Sequence, residues 1–470
     1  MIDTTQLRCN IVQLALSGKL TRQNAEDNAR ELLNRINSEK NIEQVDDIPY
    51  AIPDNWAWAR IEDVFEINPK VEAESNTTAA FIPMERISAG FGRSFSYEEQ
   101  TWAIASKNHT KFINGDVAFA KISPCFENRK SFIAEEMPNG IGGGTTELIV
   151  LRQAEIFEKY TYLLIVDQRF INAGSSSYKG IVGQQRIKAD SYRKYLVPIA
   201  PLEEQLRIVE KVEEVFKEID ILDCLQGQYS FDSEVLKSKL FDASIQGKLT
   251  EQLSEDGTAE ELFAEIQAEK AKLIKEKKIK KEKTLEVITE DEIPFEIPNN
   301  WKWVRLGDIC SKISSGNTPA GGSKGGAYVT EGYCFLREQN IYNDGIHNDG
   351  MVYITEELLN TRPNSTVLPK DILLNITGGS IGRCALIPDD FSRGSINQHI
   401  LIIRVVDPRI RFYIHKCLCS PYYQKLIMGN VVGDKDGFSA GRCKNTLIPL
   451  PPIAEQIRVV DKIDELLSLI

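Results

Sequence analysis

The sequence predicts an α+β protein with two similar domains, separated by two antiparallel, coiled-coil-like helical hairpins in a pseudo-twofold chain. Three repeats predict it. The stretch VPIAPLEEQLRIVEKVEEVF at 197–216 returns as IPLPPIAEQIRVVDKIDELL at 448–467. LRCNIVQLALSGKLT at 7–21 returns as LKSKLFDASIQGKLT at 236–250. IPDNWAWARIEDVF at 52–65 returns as IPNNWKWVRLGDIC at 297–310, with seven of the first thirteen positions identical.

The first repeat reads as helix. Ile208, Val212, Val215, Ile219 and Leu222 step by 4, 3, 4 and 3, a heptad seam, and Val459, Ile463, Leu466 and Ile470 repeat it. In the second repeat Leu7, Ile11 and Leu14 match Leu236, Leu240 and Ala243. Gln226–Asp232 contains Gly227 and reads as a breaker, which folds the central stretch into an antiparallel hairpin. The seams at the two ends of the chain are then unpaired, so the leading and terminal helices are expected to pair with each other.

The third repeat opens each domain. Alternation in Trp56-x-Trp58-x-Arg60 and Trp301-x-Trp303-x-Arg305 suits a strand with one buried face, the tryptophans serving as core anchors. Short apolar strands follow, separated by Gly, Pro and Asn. Asn114-Gly115-Asp116-Val117 corresponds to Pro369-Lys370-Asp371-Ile372, in each case a turn leading into an apolar strand. Helices are expected over 25–39, 154–169, 259–283 and near 409–419.

Composition is that of a soluble globular protein, with 42% hydrophobic and 26% charged residues. No apolar run reaches the ~20 residues of a membrane span, and the polar start is no signal peptide. Nine cysteines without a Cys-x-x-Cys pair suggest reduced thiols and a cytoplasmic location. The net charge of −12 is uneven: residues 201–293 carry −10, whereas 294–450 carry +3. The acidic excess therefore belongs to the helical connector, which leaves the domains free to meet a polyanion.

No Asn- or Asp-Pro-Pro-Tyr and no Gly-x-x-x-x-Gly-Lys-Ser/Thr is present, so neither an adenine methyltransferase nor an ATPase motif can be read. His415-Lys416-Cys417-Leu418-Cys419 is the one metal-like cluster. It lacks a second half, and no metal site is expected. Reading base edges needs Arg, Lys, Asn or Gln on a rigid frame. In the first domain the candidates are Lys121, Arg129, Lys130, Lys179, Gln184, Gln185 and Arg186. In the second they are Arg337, Gln339, Asn340, Asn375, Thr377, Arg383, Asn397, Gln398, His399, Lys435 and Arg442.

Three features together resemble the specificity subunits of type I restriction-modification enzymes. They are the Pro-x-x-Pro-x-x-x-Gln helix starts (Pro198, Pro201, Gln205; Pro449, Pro452, Gln456), the Gly-Lys-Leu-Thr ends at 18–21 and 247–250, and the Ile-Pro-x-x-Trp-x-Trp-x-Arg domain starts. The resemblance covers essentially the whole chain. The halves are not strictly equivalent, because the linker after the leading helix is 16 residues shorter than its central counterpart.

The resemblance implies two target recognition domains, at 46–200 and 291–450, each reading half of a split double-stranded DNA target. Residues 1–45 would pair with the terminal helix at 451–470, and 201–290 would form the central hairpin and linker. The paired helices would dock two methyltransferase subunits and, through them, restriction (translocase) subunits. This chain would be non-catalytic and would bind no cofactor, with S-adenosylmethionine, ATP and magnesium belonging to those partners. The alternatives are a self-contained methyltransferase or nuclease of unfamiliar motif, and a protein-binding scaffold.

Overall fold

The computed structural model describes residues 1–24, 27–36, 48–153, 155–180, 184–319, 326–429 and 438–470. The chain divides into two compact units, Met1–Gln228 and Tyr229–Ile470.

Each unit contains the same two sheets. In the first unit, Glu66–Ile67, Leu148–Arg152, Val117–Ala120 and Ser131–Ile133 form an antiparallel sheet in that order. A second sheet runs Glu98–Thr101, Thr78–Ile82, Ile141–Gly144, Thr110–Ile113, its middle pair parallel. The second unit repeats both. One sheet is Cys310–Ser315, Ile400–Val405, Ile372–Asn375, Cys384–Leu386, and the other is Val352–Ile354, Tyr333–Leu336, Gly394–Ile396, Thr366–Val367, again with a parallel middle pair.

The turn shared by the two domains works alike in both. Gly115 and Lys370 have positive φ (92° and 72°), and the following aspartate caps the turn by accepting from the backbone N–H of Ile113 or Leu368. Asp116 and Asp371 are buried, and each is gripped by an arginine through two bonds, Arg152 at 2.7 and 2.7 Å and Arg404 at 2.6 and 2.8 Å. A buried carboxylate is tolerable only with such a partner.

Of the expected tryptophan anchors, Trp56 and Trp301 are core residues whereas Trp58 and Trp303 are half-buried, and the strands Ala57–Arg60 and Lys302–Arg305 pair with Leu196–Ile199 and Leu447–Leu450. The helix expected over 154–169 is two helices, Glu158–Val166 and Gln168–Ser176, because Asp167 breaks the first and caps the second through Arg169 N–H. The other helices span Ala29–Ile36, Ala259–Lys275 and Arg411–Cys419.

The helical expectations need correction. Gln226–Asp232 is not a breaker: Leu202–Ile245 is one unbroken helix of 44 residues. A single exposed glycine costs only about 1 kcal/mol relative to alanine, too little to end a long helix. Within its own unit, each of the leading and terminal helices packs against the central helix. The leading helix, Thr4–Ala15, packs antiparallel to its first half, with Val12, Ala15 and Leu16 in one core with Ile208, Val209 and Val212. Arg8 joins Asp220 at 2.6 Å and Asp223 at 2.9 Å, and Thr4 donates to Asp223.

In the second unit the terminal helix, Ile453–Leu467, shares a core with Leu240 and Ile245 through Val459 and Ile463, with Leu466 half-buried against it. At its far end Tyr229 donates to the Ile470 carbonyl. The buried stripe of the leading helix is Cys9, Val12 and Ala15, with Leu7 and Ile11 half-buried and Leu14 exposed. Leu236 is also exposed and Val215 half-buried, while Ile219 is buried.

The three repeated motifs meet at a buried carboxylate. Glu204 accepts from Trp56 Nε1 (2.9 Å), Gln23 Nε2 (2.6 Å) and Thr21 Oγ1 (3.1 Å). Glu455 accepts from Trp301 Nε1 (2.8 Å), Gln252 Nε2 (2.8 Å) and Thr250 Oγ1 (3.2 Å). Both glutamates are fully buried. Gly18 and Gly247 sit just before, at φ 66° and 68°, where a Cβ would collide with the ring of Pro53 or Pro298.

Replacing Glu455 with alanine removes the acceptor of four donors at this junction, Asn300 Nδ2 (3.5 Å) being the fourth. We expect Glu455→Ala to destabilise the second unit by on the order of 3 kcal/mol, with Glu455→Gln milder. Urea denaturation followed by tryptophan fluorescence measures this, and an unchanged midpoint for Glu455→Ala contradicts it.

Candidate nucleic-acid interface

In each unit polar residues gather at one end of the two sheets. This end is formed where the strands Val117–Ala120 and Ile372–Asn375 finish, and where Ile141–Gly144 and Gly394–Ile396 turn into the next strand.

In the first unit, backbone bridges pair Ile122 with Arg186 and Lys179 with Arg186. Ser123 N–H donates to the Gln185 carbonyl and Lys121 N–H to the Glu147 carbonyl. These bonds bring Lys121, Lys179, Gln184, Gln185 and Arg186 into one cluster from two distant stretches. Arg186 donates to both carboxylate oxygens of Glu147 (2.9 and 2.7 Å), and this bond holds the Glu147 carboxyl below the usual range. Lys179 and Gln184 are exposed, and their side chains have no hydrogen-bond partner among the described residues.

Arg129 and Lys130 lie elsewhere. Arg129, at φ 53°, donates to the Val166 carbonyl and to Gln168 and lies 4.9 Å over the Phe91 ring. Lys130 donates to the Met84 carbonyl at 2.9 Å. Both side chains brace the frame.

In the second unit the cluster is organised by Glu338. Asn375 Nδ2 donates to its carbonyl (2.9 Å) and Asn397 Nδ2 to its carboxylate (2.5 Å). Burial works against the charge, yet the Asn397 bond holds Glu338 below the usual carboxylate range. Thr377 and His399 are hydrogen-bonded at 2.5 Å, and Gln398 is exposed beside them, 3.0 Å from His399 Nε2. Asn340 is buried and donates to the His347 and Asp349 carbonyls, and its Oδ1 accepts from Arg337 N–H. Arg337 reaches the Gly350 carbonyl at 2.5 Å, and Gln339 is exposed.

Asn340, Asn375 and Asn397 thus use their amides to build the loops, while Gln339, Thr377, Gln398 and His399 form the accessible part. Asn375 Oδ1 and Arg337 Nε are buried without a protein partner at this same end.

Arg383 is half-buried at this end. Its guanidinium lies 4.3 Å over Tyr342, which stacks on His347 at 4.0 Å, and it forms no ion pair among the described residues. Tyr342 and His347 escaped the sequence reading, because nothing in the sequence of the hairpin Ile341–Ile346 signals a cation stack. Glu147 and Glu338 escaped it as acidic residues. Arg442 lies on the helix Ala440–Asn445, and Lys435 lies outside the described residues.

The metal-like run also differs from expectation. Cys384, on the strand Cys384–Leu386, comes to His415 and Cys419 and supplies a third ligand from another stretch of the chain. The Cys419 thiol is lowered, first by its hydrogen bond with Cys384 and then by His415, against the effect of burial.

Two copies of one frame, each clasped by an antiparallel helix pair and each carrying different polar loops at the same end, define a two-module recognition protein. The family model for the type I restriction modification DNA specificity domain matches twice, over residues 53–224 and 298–470. The chain belongs to the specificity subunits of type I restriction-modification systems and carries two target recognition domains.

Among its relatives is the Escherichia coli EcoAI specificity subunit, 30% identical over 98% of this chain and 89% of that one. The EcoEI specificity subunit, also from Escherichia coli, is 29% identical over 98% and 88%. Two solved structures share the fold. One, from work on complex assembly and conformational transition of the type I R-M system, has a TM-score of 0.65 at 20% identity, covering 90% of this chain and 92% of that one. The other, the HsdS subunit from Thermoanaerobacter tengcongensis, has a TM-score of 0.55 at 19% identity, covering 90% and 93%. No helix among the described residues is long and apolar enough to cross a membrane.

The division between frame and surface residues is measurable. Arg383→Ala and Lys179→Ala should change stability by no more than about 0.5 kcal/mol. Asn375→Ala, which leaves the Glu338 carbonyl without its donor, should cost roughly 1–3 kcal/mol. Chemical denaturation of the three variants decides, and equal midpoints would refute the assignment.

Proposed function

We propose that this chain is the non-catalytic DNA-reading subunit of its complex, each target recognition domain reading one half of a bipartite target. The observation that carries this reading is the equivalent position of the two polar clusters, built from different residues on one frame. Phosphate contacts position a protein on the duplex and base-edge contacts specify the sequence. Lys121, Lys179 and Arg383 suit phosphates. Gln184, Gln185, Gln339 and Gln398 have the paired donor and acceptor that match an adenine edge.

The helical pairs are the docking sites for two modification (methyltransferase) subunits, through which restriction (translocase) subunits join. Support comes from the central helix, where Ile221, Leu225, Phe231 and Leu236 are each more than half exposed, more apolar surface than a helix facing only water needs. Adenine methylation with S-adenosylmethionine, and ATP- and magnesium-dependent translocation and cleavage, belong to those partners, and the complex works in the cytoplasm. The absence of both enzyme motifs from the sequence agrees with this division of labour.

Mapping methylated adenines in DNA from cells that express this chain with its modification subunits tests the reading. A split motif is expected, and exchanging residues 291–450 for those of a relative should alter one half of it and leave the other. Arg383→Ala should weaken DNA binding by the complex uniformly across sequences and lower the slope of affinity against salt by about one. Methyl transfer by the purified chain alone, or an unsplit motif, would overturn the proposal.

A further inference from the structure

We propose that the second target recognition domain holds a zinc-class divalent metal ion between the Cys384 and Cys419 thiolates and the imidazole of His415. The three side chains come from two elements: Cys384 from a strand of the sheet, and His415 and Cys419 one turn apart on the helix Arg411–Cys419. Their ligand atoms all lie within 4.8 Å of one another, and no other group of three Cys, His, Asp or Glu side chains among the described residues does so.

The geometry fits the metal. With Zn–S about 2.3 Å and Zn–N about 2.1 Å at a tetrahedral angle, the two ligand atoms stand about 3.6 Å apart. Cys419 Sγ and His415 Nε2 are separated by 3.6 Å. Two thiolates and one imidazole form a soft ligand set, which selects zinc over magnesium or calcium. Three protein ligands leave the fourth position to water, and the half-exposed Cys419 marks the side from which solvent reaches it.

His415 supplies the independent observation. It is only 5% exposed, and its Nδ1 is buried with no hydrogen-bond partner. Nε2 is shared between the Cys384 carbonyl at 2.8 Å and the Cys419 thiol. With nothing holding Nδ1, the ring can turn off the carbonyl and present a nitrogen to the ion.

The first domain shows what this position contains when no ligands are required. Tyr160 and Tyr413 are equivalent, each donating its hydroxyl to a proline carbonyl, Pro198 or Pro449. Two residues on stand Tyr162 and His415, and four further stand Val166 and Cys419. Ser131, paired with Phe119, corresponds to Cys384, paired with Leu374. The set Ser131, Tyr162, Val166 has no thiolate and no imidazole, so metal binding belongs to the second domain alone. There it would staple a helix to the sheet one residue from Arg383.

Cobalt(II) titration of the full-length chain under reductant tests the proposal. One equivalent should produce the visible bands of a tetrahedral ion and a thiolate charge-transfer band, both displaced by zinc. Cys419→Ser, at a half-exposed position, should abolish them, whereas Cys224→Ser, at an exposed position, should not. Alkylation read by mass spectrometry gives a measurement on the unaltered protein. Zinc should protect Cys384 and Cys419 and leave Cys224 reactive. Bands that survive Cys419→Ser, no bands at all, or unprotected Cys419 would overturn the site.

Discussion

The structure depends on two buried carboxylates. A glutamate with no exposure must find donors for its oxygens, since leaving such a charge unpartnered costs far more than one hydrogen bond returns. Glu204 takes a tryptophan N–H, a glutamine amide and a threonine hydroxyl, and Glu455 takes the same three groups. The donors come from two stretches, the start of a domain and the segment after one helix, and the carboxylate from a third, the start of another helix. Satisfying the charge therefore brings the three together. The helix pair is set against its domain, and the sheets carrying the polar loops follow from that. The nearby ion pairs Arg207–Asp27 and Arg458–Asp256 reinforce the same meeting point.

Much of this plan could be read from the sequence, because the repeated motifs are the residues of the junction. Two domains, the mixed α+β class and the tryptophan anchors all follow from repetition. Helix partnership did not follow, for a physical reason. Any of the four heptad seams fits any other, and the choice is made by polar details such as Arg8 reaching Asp220 and Asp223. Gly227 misled because a glycine is only mildly unfavourable within a helix. Leu14 misled because the real stripe is lined by the smaller Cys9 and Ala15, which a search for large aliphatic residues passes over.

The polar sites were legible as neighbourhoods and not as individual contacts. Asn375 and Gln398 look alike in the sequence as donors on a glycine-rich stretch, yet one is buried under Glu338 and the other is open. Arg129 and Arg383 are both loop arginines, yet one is bonded to the Val166 carbonyl and the other rests on a tyrosine ring. Burial separates them, and burial depends on chain segments tens of positions away. The same holds for Cys384, whose nearness to His415 exists only once the strand and helix have packed.

Each glutamate junction is completed by groups from its own half of the chain. A genetic exchange between related chains at matching points in the central helix would thus join a whole socket to a whole socket, with no buried charge orphaned at the seam. Such hybrids should fold as readily as their parents while inheriting one reading head from each, so that new combinations of half-targets can arise in a single recombination event.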